Sequence, residues 1–133
     1  MAVLIDTSFF IAYINSRDKN HALSRKLAAE IFSGKYGQIT VTDHIFDETI
    51  TTCLHHLKKK STIEQLGDQI LNSEIELLQI NEELFRDSWD LFRKYHYSFT
   101  DCTSAALSKK LKIKHIAAFD HNFDAFPWLN RIS

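Results

Sequence analysis

Short apolar runs that stop abruptly at an acid constrain this chain most. Ala2-Val3-Leu4-Ile5 carries no polar residue and ends at Asp6-Thr7-Ser8. A strand without polar alternation has both faces buried, the usual condition inside a parallel α/β sheet. Three further segments read as strands: Gln38–Thr42, Glu74–Ile80 and Ile113–Phe119, the last followed at once by Asp120. Helical spacing fills the intervals. Phe9–Ile14 starts a helix with Thr7 or Ser8 as its cap, and Leu23, Leu27, Ile31 and Phe32 mark another over His21–Phe32.

Asp43 can cap the next helix, whose apolar stripe is Phe46, Ile50, Cys53, Leu54 and Leu57. Ser61 and Glu64 stand in capping-box register ahead of Ile63, Leu66, Ile70 and Leu71. Asn81 caps a helix expected to turn Leu84, Phe85, Trp89, Phe92 and Tyr95 to the core. Ser98-Phe99-Thr100-Asp101 opens the last, with Ala105, Ala106, Leu107 and Leu111. Strands alternating with helices give an α/β chain with a central, mostly parallel sheet of four or five strands flanked by helices. No linker or repeat interrupts it, so one domain over residues 1–133 is expected.

Several function classes fall away. With three glycines and one proline the chain has neither GxGxxG nor GxxxxGK[ST], the common phosphate-cradling loops. Cys53 and Cys102 are too few for a four-cysteine zinc site. The apolar runs fall short of the ~20 residues of a membrane span, and there is no basic leader, so a cytoplasmic protein without membrane attachment is expected. The net charge of −1 forecasts no polyanion partner. Its distribution is uneven, with Lys58-Lys59-Lys60 and a second group at Lys109, Lys110, Lys112 and Lys114. Such runs usually cover solvated helix ends and gain meaning only beside a site that handles phosphates.

Asp6 and Asp120 each follow a buried strand, and open α/β sheets bind ligands beyond the carboxyl ends of their strands. Asp101 at a helix start faces the same rim. Glu48 lies in the helix after the second strand, where its neighbour Asp47 competes for any role. Ordinary alternatives exist for each: a cap, a dipole partner, a turn, a surface glutamate. Several carboxylates at one spot would raise their pKa values or recruit a cation. All-oxygen ligation suits Mg²⁺ or Mn²⁺.

At these residues the chain resembles the PIN-domain nucleases and, within them, the VapC-type toxins of bacterial toxin–antitoxin modules. The segments are Val3–Ser8, Thr42–Thr49, Ser98–Cys102 and Ala118–Asp124. The resemblance implies a single PIN-like domain and an endoribonuclease that uses Mg²⁺ or Mn²⁺ to hydrolyse RNA phosphodiester bonds. By position Asp6, Glu48, Asp101 and Asp120 match the family's acids as catalytic and metal-binding residues. Asn122 stands where many relatives carry a further acid, with Asp124 as a possible substitute. Thr7, Ser8 and Asn122 would support the ligands by hydrogen bonds. Arg17, Lys19, Lys109 and Lys110 are the cations placed to meet RNA, and His44 and His121 adjoin the motifs. Cys102 has no base partner and reads as packing. The implied partners are RNA, a cognate antitoxin and a second copy of the chain, with Phe85, Trp89, Phe92 and Trp128 as interface material. Two rival readings are a PIN-like domain that binds RNA or a partner without cleaving, and an aspartate-dependent phosphatase. The latter usually needs a second Asp where this chain has Ser8.

Overall fold

The computed structural model describes residues 1–133. Its elements in chain order are β1 (Ala2–Ile5), α1 (Thr7–Ile14), α2 (His21–Phe32), β2 (Gln38–Thr42), α3 (Asp43–His56), α4 (Lys60–Asn72), β3 (Glu76–Leu78), α5 (Glu82–Tyr95), α6 (Phe99–Leu111), β4 (His115–Ala117) and β5 (Asn130–Ile132). A 3₁₀ turn, His121–Ala125, lies between the last two strands. The strands form one sheet in the order β3-β2-β1-β4-β5, and all four pairings are parallel. The chain builds outward from β1 through β2 to β3, then returns to build the other half from β4. The order therefore reverses between β1 and β4, and a crevice opens beyond their carboxyl ends.

The core is one cluster of 26 buried residues, in which Val3, Leu4, Ile5, Val41 and Ile116 fill both faces of the central strands. Absence of polar alternation in β1 follows from that double burial. The outer strands are shorter than the sequence suggests. β3 is an edge strand paired on one side only, and Ile75 and Ile80 pack against the core from outside the ladder. The Ile80 N–H instead bonds the Asp43 carboxylate at 3.2 Å. β4 covers three residues, and Phe119, two residues on, already lines the crevice. β5 has no apolar run to announce it and is defined by its ladder to β4.

Helix caps and faces also differ from expectation. Asp6 itself caps α1, its carboxylate accepting the Ser8 N–H at 3.0 Å, so neither Thr7 nor Ser8 fills that place. Thr42 rather than Asp43 caps α3. α4 begins at Lys60 with no side-chain cap, and no Ser61–Glu64 capping box forms. In α3 the buried line is Ile45, Thr49 and Cys53, while Leu54 is exposed. In α5 the buried residues are Leu84 and Ser88, leaving Phe85 and Trp89 half in solvent. One residue of phase, about 100° on a helix, separates a core position from an outer one.

Two buried hydroxyls tie the acid-bearing helices together. Thr49 Oγ1 of α3 donates to Thr7 Oγ1 of α1 at 3.1 Å, and Thr7 donates to the Ile45 carbonyl at 3.5 Å. The link sets α3 at a fixed height beside Asp6. Thr49→Val keeps the shape and leaves the pair broken, so a loss of about 1–2 kcal/mol is expected in chemical denaturation. An unchanged midpoint would show that this link bears no load.

Candidate functional site

The crevice at the β1/β4 reversal is a cleft lined by Asp6, Glu48, Asp101, Asp120, Asn122 and Ser98, with Asp18, Thr52 and Phe119 on its walls. Each acid arrives by a local rule. Asp6 ends β1 and caps α1. Asp101 stands in the first turn of α6, whose cap Ser98 accepts the Asp101 N–H at 3.1 Å. Asp120 caps the 3₁₀ turn by accepting the Asn122 N–H at 2.9 Å. Glu48 reaches the cleft from α3 beside Thr52, one turn on, while Asp47 is exposed and meets only the Thr51 hydroxyl at 3.5 Å. Of Asp47 and Glu48, between which the sequence left the role open, only Glu48 lines the cleft.

Asp6 is the most constrained of the four. Ser8 Oγ donates to its Oδ2 at 2.6 Å, and the Phe119 N–H donates to that same Ser8 oxygen at 3.0 Å. Ser8 therefore stitches the end of β4 to the carboxylate at the end of β1. The other carboxylate oxygen, Oδ1, is buried with no hydrogen-bond partner. An orphaned buried acceptor of this kind costs ~1–3 kcal/mol unless something satisfies it. Burial pushes the Asp6 carboxyl up to about 6 despite the opposing Ser8 bonds, with Glu48 and Asp120 adding repulsion. Burial likewise raises Asp101, to about 7, reinforced by the charges of Asp6, Asp120 and Glu48.

Four carboxylates are thus close enough to perturb one another, yet no three of them close into a ready-made cage. The donors are all oxygen, one is unsatisfied, and the cleft is open to water. This set fits a hard divalent cation that keeps part of its hydration, such as Mg²⁺ or Mn²⁺. Asp6, Asp101, Glu48 and Asp120 are the residues that could hold it.

The remaining expected site residues divide. Thr7, Ser8 and Asn122 line the cleft. Asp124 does not: Arg131 binds it through Nε at 3.0 Å and Nη2 at 3.3 Å, and those bonds hold its carboxyl below the ordinary range. Phe123 and Phe126, both fully buried, fix the turn so that Asp124 faces outward. His121 joins the same outward network, and His44 packs among Phe85 and Phe99. Lys109 and Lys110 lie at the far end of α6 from Asp101, Lys109 over the Trp128 ring and Lys110 paired with Glu83 at 2.6 Å. Arg17 and Lys19 flank Asp18 in the loop after α1, beside the cleft. Cys102 is buried and its thiol is pushed up to about 11, which suits packing. Asp18, Thr52 and Phe119 were not singled out by sequence; an acid in the α1–α2 loop gives no periodic signal to find it.

Raised carboxyl pKa values have a defined consequence for stability. An acid that holds its proton more tightly when folded destabilises the native state on ionisation. Without a divalent cation the protein is therefore expected to lose stability as pH rises from 3.8 to about 7. The loss is at most on the order of 3 kcal/mol for Asp6 and 4 kcal/mol for Asp101. Asp6→Asn with Asp101→Asn should flatten that profile, and Mg²⁺ at pH 8 should restore much of the loss. Melting curves in chelator across this range check it; a profile rising with pH would contradict it.

Comparison with known proteins identifies the family of this fold. The model of the PIN domain matches residues 3–129. The VapC ribonuclease of Archaeoglobus fulgidus is 30% identical over 135 aligned residues, covering 98% of this chain and 84% of that protein. The 23S rRNA-specific endonuclease VapC20 of Mycobacterium tuberculosis is 25% identical, with 92% of each chain covered. Its crystal structure, described as a Sarcin-Ricin loop cleaving toxin, superposes with a TM-score of 0.82 over 92% of this chain and 93% of that one. VapBC2 from Rickettsia felis, solved on a DNA fragment from its promoter, shares the fold at 14% identity, with a TM-score of 0.71 over 99% of this chain and 98% of that one. A chain whose acids gather at this crevice, and which matches the PIN model over nearly its whole length, belongs to the PIN-domain family.

Proposed function

We propose that this protein is a Mg²⁺- or Mn²⁺-dependent endoribonuclease that cuts RNA at the acid cleft, and that it acts as the toxin of a toxin–antitoxin pair. The observation that carries the reading is the Asp6 carboxylate: buried, tied by Ser8 through one oxygen, unsatisfied at the other, and surrounded by Glu48, Asp101 and Asp120. The chain's similarity to the ribonuclease and endonuclease named above supports the same chemistry.

A divalent cation, when bound, activates water and offsets charge on the phosphoryl and leaving oxygens. The protein's share is to hold its ligands and to position the substrate. Ser8 holds the Asp6 rotamer by donating both its N–H and its hydroxyl to Oδ2, so that carboxylate needs little reorganisation on binding. Ser98 uses its oxygen as an acceptor for the Asp101 N–H, leaving its own O–H to donate into the cleft. Asn122 and Thr52 line the same space and can donate to phosphate oxygens. The acids repel a bare phosphate, so productive binding depends on neutralisation of the cluster. The cleft is open, which suits single-stranded or looped RNA with accessible backbone and bases.

Partners follow from the same reading. Three solved structures of this fold are toxin–antitoxin assemblies, among them one from Klebsiella pneumoniae. An antitoxin that placed an Arg among these four acids would replace the cation's charge and grip the carboxylates bidentately. A homodimer belongs to the same proposal, and no helix is long and apolar enough to cross a membrane.

Asp6→Asn and Asp101→Asn are expected to reduce divalent-dependent RNA cleavage at least about a hundredfold while melting cooperatively. Asp124→Asn should stay within a few-fold of wild type, because Arg131 already engages that carboxylate. Cleavage of a labelled RNA pool with and without chelator measures all three. Full activity in the Asp101 variant would reject the assignment, and a covalent phosphoaspartate on Asp6 would indicate the phosphatase instead.

A further inference from the structure

The acid cleft has no cation among its twelve lining residues, five of which are Asp or Glu. RNA affinity rests largely on cations that meet backbone phosphates. Those cations must therefore lie along the strand's path on either side of the cleft. Lys109 and Lys110 are excluded by their place at the far end of α6 and by their contacts with Trp128 and Glu83.

A second concavity of about 440 Å³, lined from the same loop and the same helix as the cleft, has the opposite character. Arg17, His56, Lys59, Thr62, Asn15 and Ser16 line it, and no acid does. Two elements run through both spaces. In the loop after α1, Asp18 faces the acid cleft and Arg17 the basic pocket. On α3, Glu48 and Thr52 line the cleft, and His56, one further turn along the same face, lines the pocket. Eight residues at 1.5 Å rise put His56 roughly 12 Å beyond Glu48 along the helix, a span an RNA strand covers within a few nucleotides.

The positive charge in this pocket is unanswered within the chain. Arg17, His56 and Lys59 take part in none of the molecule's ion pairs. Lys58, in the left-handed region at φ 52°, makes the sharp turn between α3 and α4. The turn sets Lys59 at the uncapped start of α4, where cations oppose the helix dipole. An anion bound here would relieve both features. Ile14 and Leu57 are the only apolar side chains in the lining, too few to anchor a protein segment.

We propose that the pocket of Arg17, His56 and Lys59 holds a backbone phosphate of the RNA strand, a few nucleotides from the phosphate bound at the acids. The inference rests on the nuclease reading of the cleft and assigns its substrate track. It also gives Lys59 a role that α4's missing cap would otherwise leave as a cost.

Binding of a random-sequence single-stranded RNA pool, followed by fluorescence anisotropy across a salt series, tests it without knowledge of the true target. Arg17→Gln with Lys59→Gln should lower the slope of log affinity against log salt by roughly 0.7 for each cation removed. Lys109→Gln with Lys110→Gln should leave the slope unchanged. In cleavage assays the first pair should raise KM about tenfold with kcat retained. A methylphosphonate at one flanking position should reproduce that rise in wild type and abolish the further effect of the variants. Equal slopes for wild type and the Arg17/Lys59 variant would overturn the proposal. So would a KM effect that persists undiminished with every methylphosphonate, or weakened binding of an acidic antitoxin segment with RNA binding intact. If wild type cleaves nothing while the slope still falls, the phosphate site stands and the nuclease reading fails alone.

Discussion

Mutual repulsion among four carboxylates, two of them buried, is the constraint around which this molecule is organised. Asp6 and Asp101 are both nearly inaccessible to solvent, and each feels the charges of its neighbours. Such a cluster is unstable on its own and persists because the surrounding structure over-determines it. β1 and β4 are locked side by side in the middle of the sheet. Ser8 bonds Asp6 and the Phe119 N–H together, and the Thr7–Thr49 pair fixes α3 against α1. The strain is local and the support is distributed. That is the usual relation between a reactive centre and its scaffold.

The topology explains why acids from the two ends of the chain meet. A parallel sheet points every strand's carboxyl end the same way, so residues that follow different strands share one rim. Reversal of the strand order at β1/β4 separates the outgoing helices and leaves a gap there. Asp6 and Asp120 close the two sides of the gap, and the first turn of α6 and the second of α3 supply the rest. The same arrangement sends the 3₁₀ turn back across the sheet to β5, where Arg131 captures Asp124 and removes it from the cleft.

Charge is partitioned as sharply as geometry. Acids occupy the centre without a single cation, and unpaired cations collect just outside it, at the junction of α3 and α4 and in the loop after α1. With a net charge of only −1, the bulk composition conceals this division entirely. What matters to a polyanion is the local field along its path, not the sum over the surface.

Much of this could be read in the sequence, because some rules act over a few residues. The apolar run before Asp6, the Asn81 and Ser98 caps, and helical spacing in α2 and α6 are local matters of burial and hydrogen bonding, and they gave an α/β chain with Asp6, Asp101 and Asp120 at element ends. Spacing could not tell Asp47 from Glu48, or place Phe85 and Trp89 outside the core, because one residue of helical phase depends on what packs against the helix. It could not foresee β5, whose three residues become a strand only beside β4. Nor could it pair Arg131 with Asp124, or set Arg17 beside Lys59, since those partners meet only after distant segments have folded. The chain by itself determined which residues end its strands and begin its helices. The tertiary structure alone decided which of those ends share a cleft, because convergence depends on strand order, and strand order is set by packing across the whole sheet.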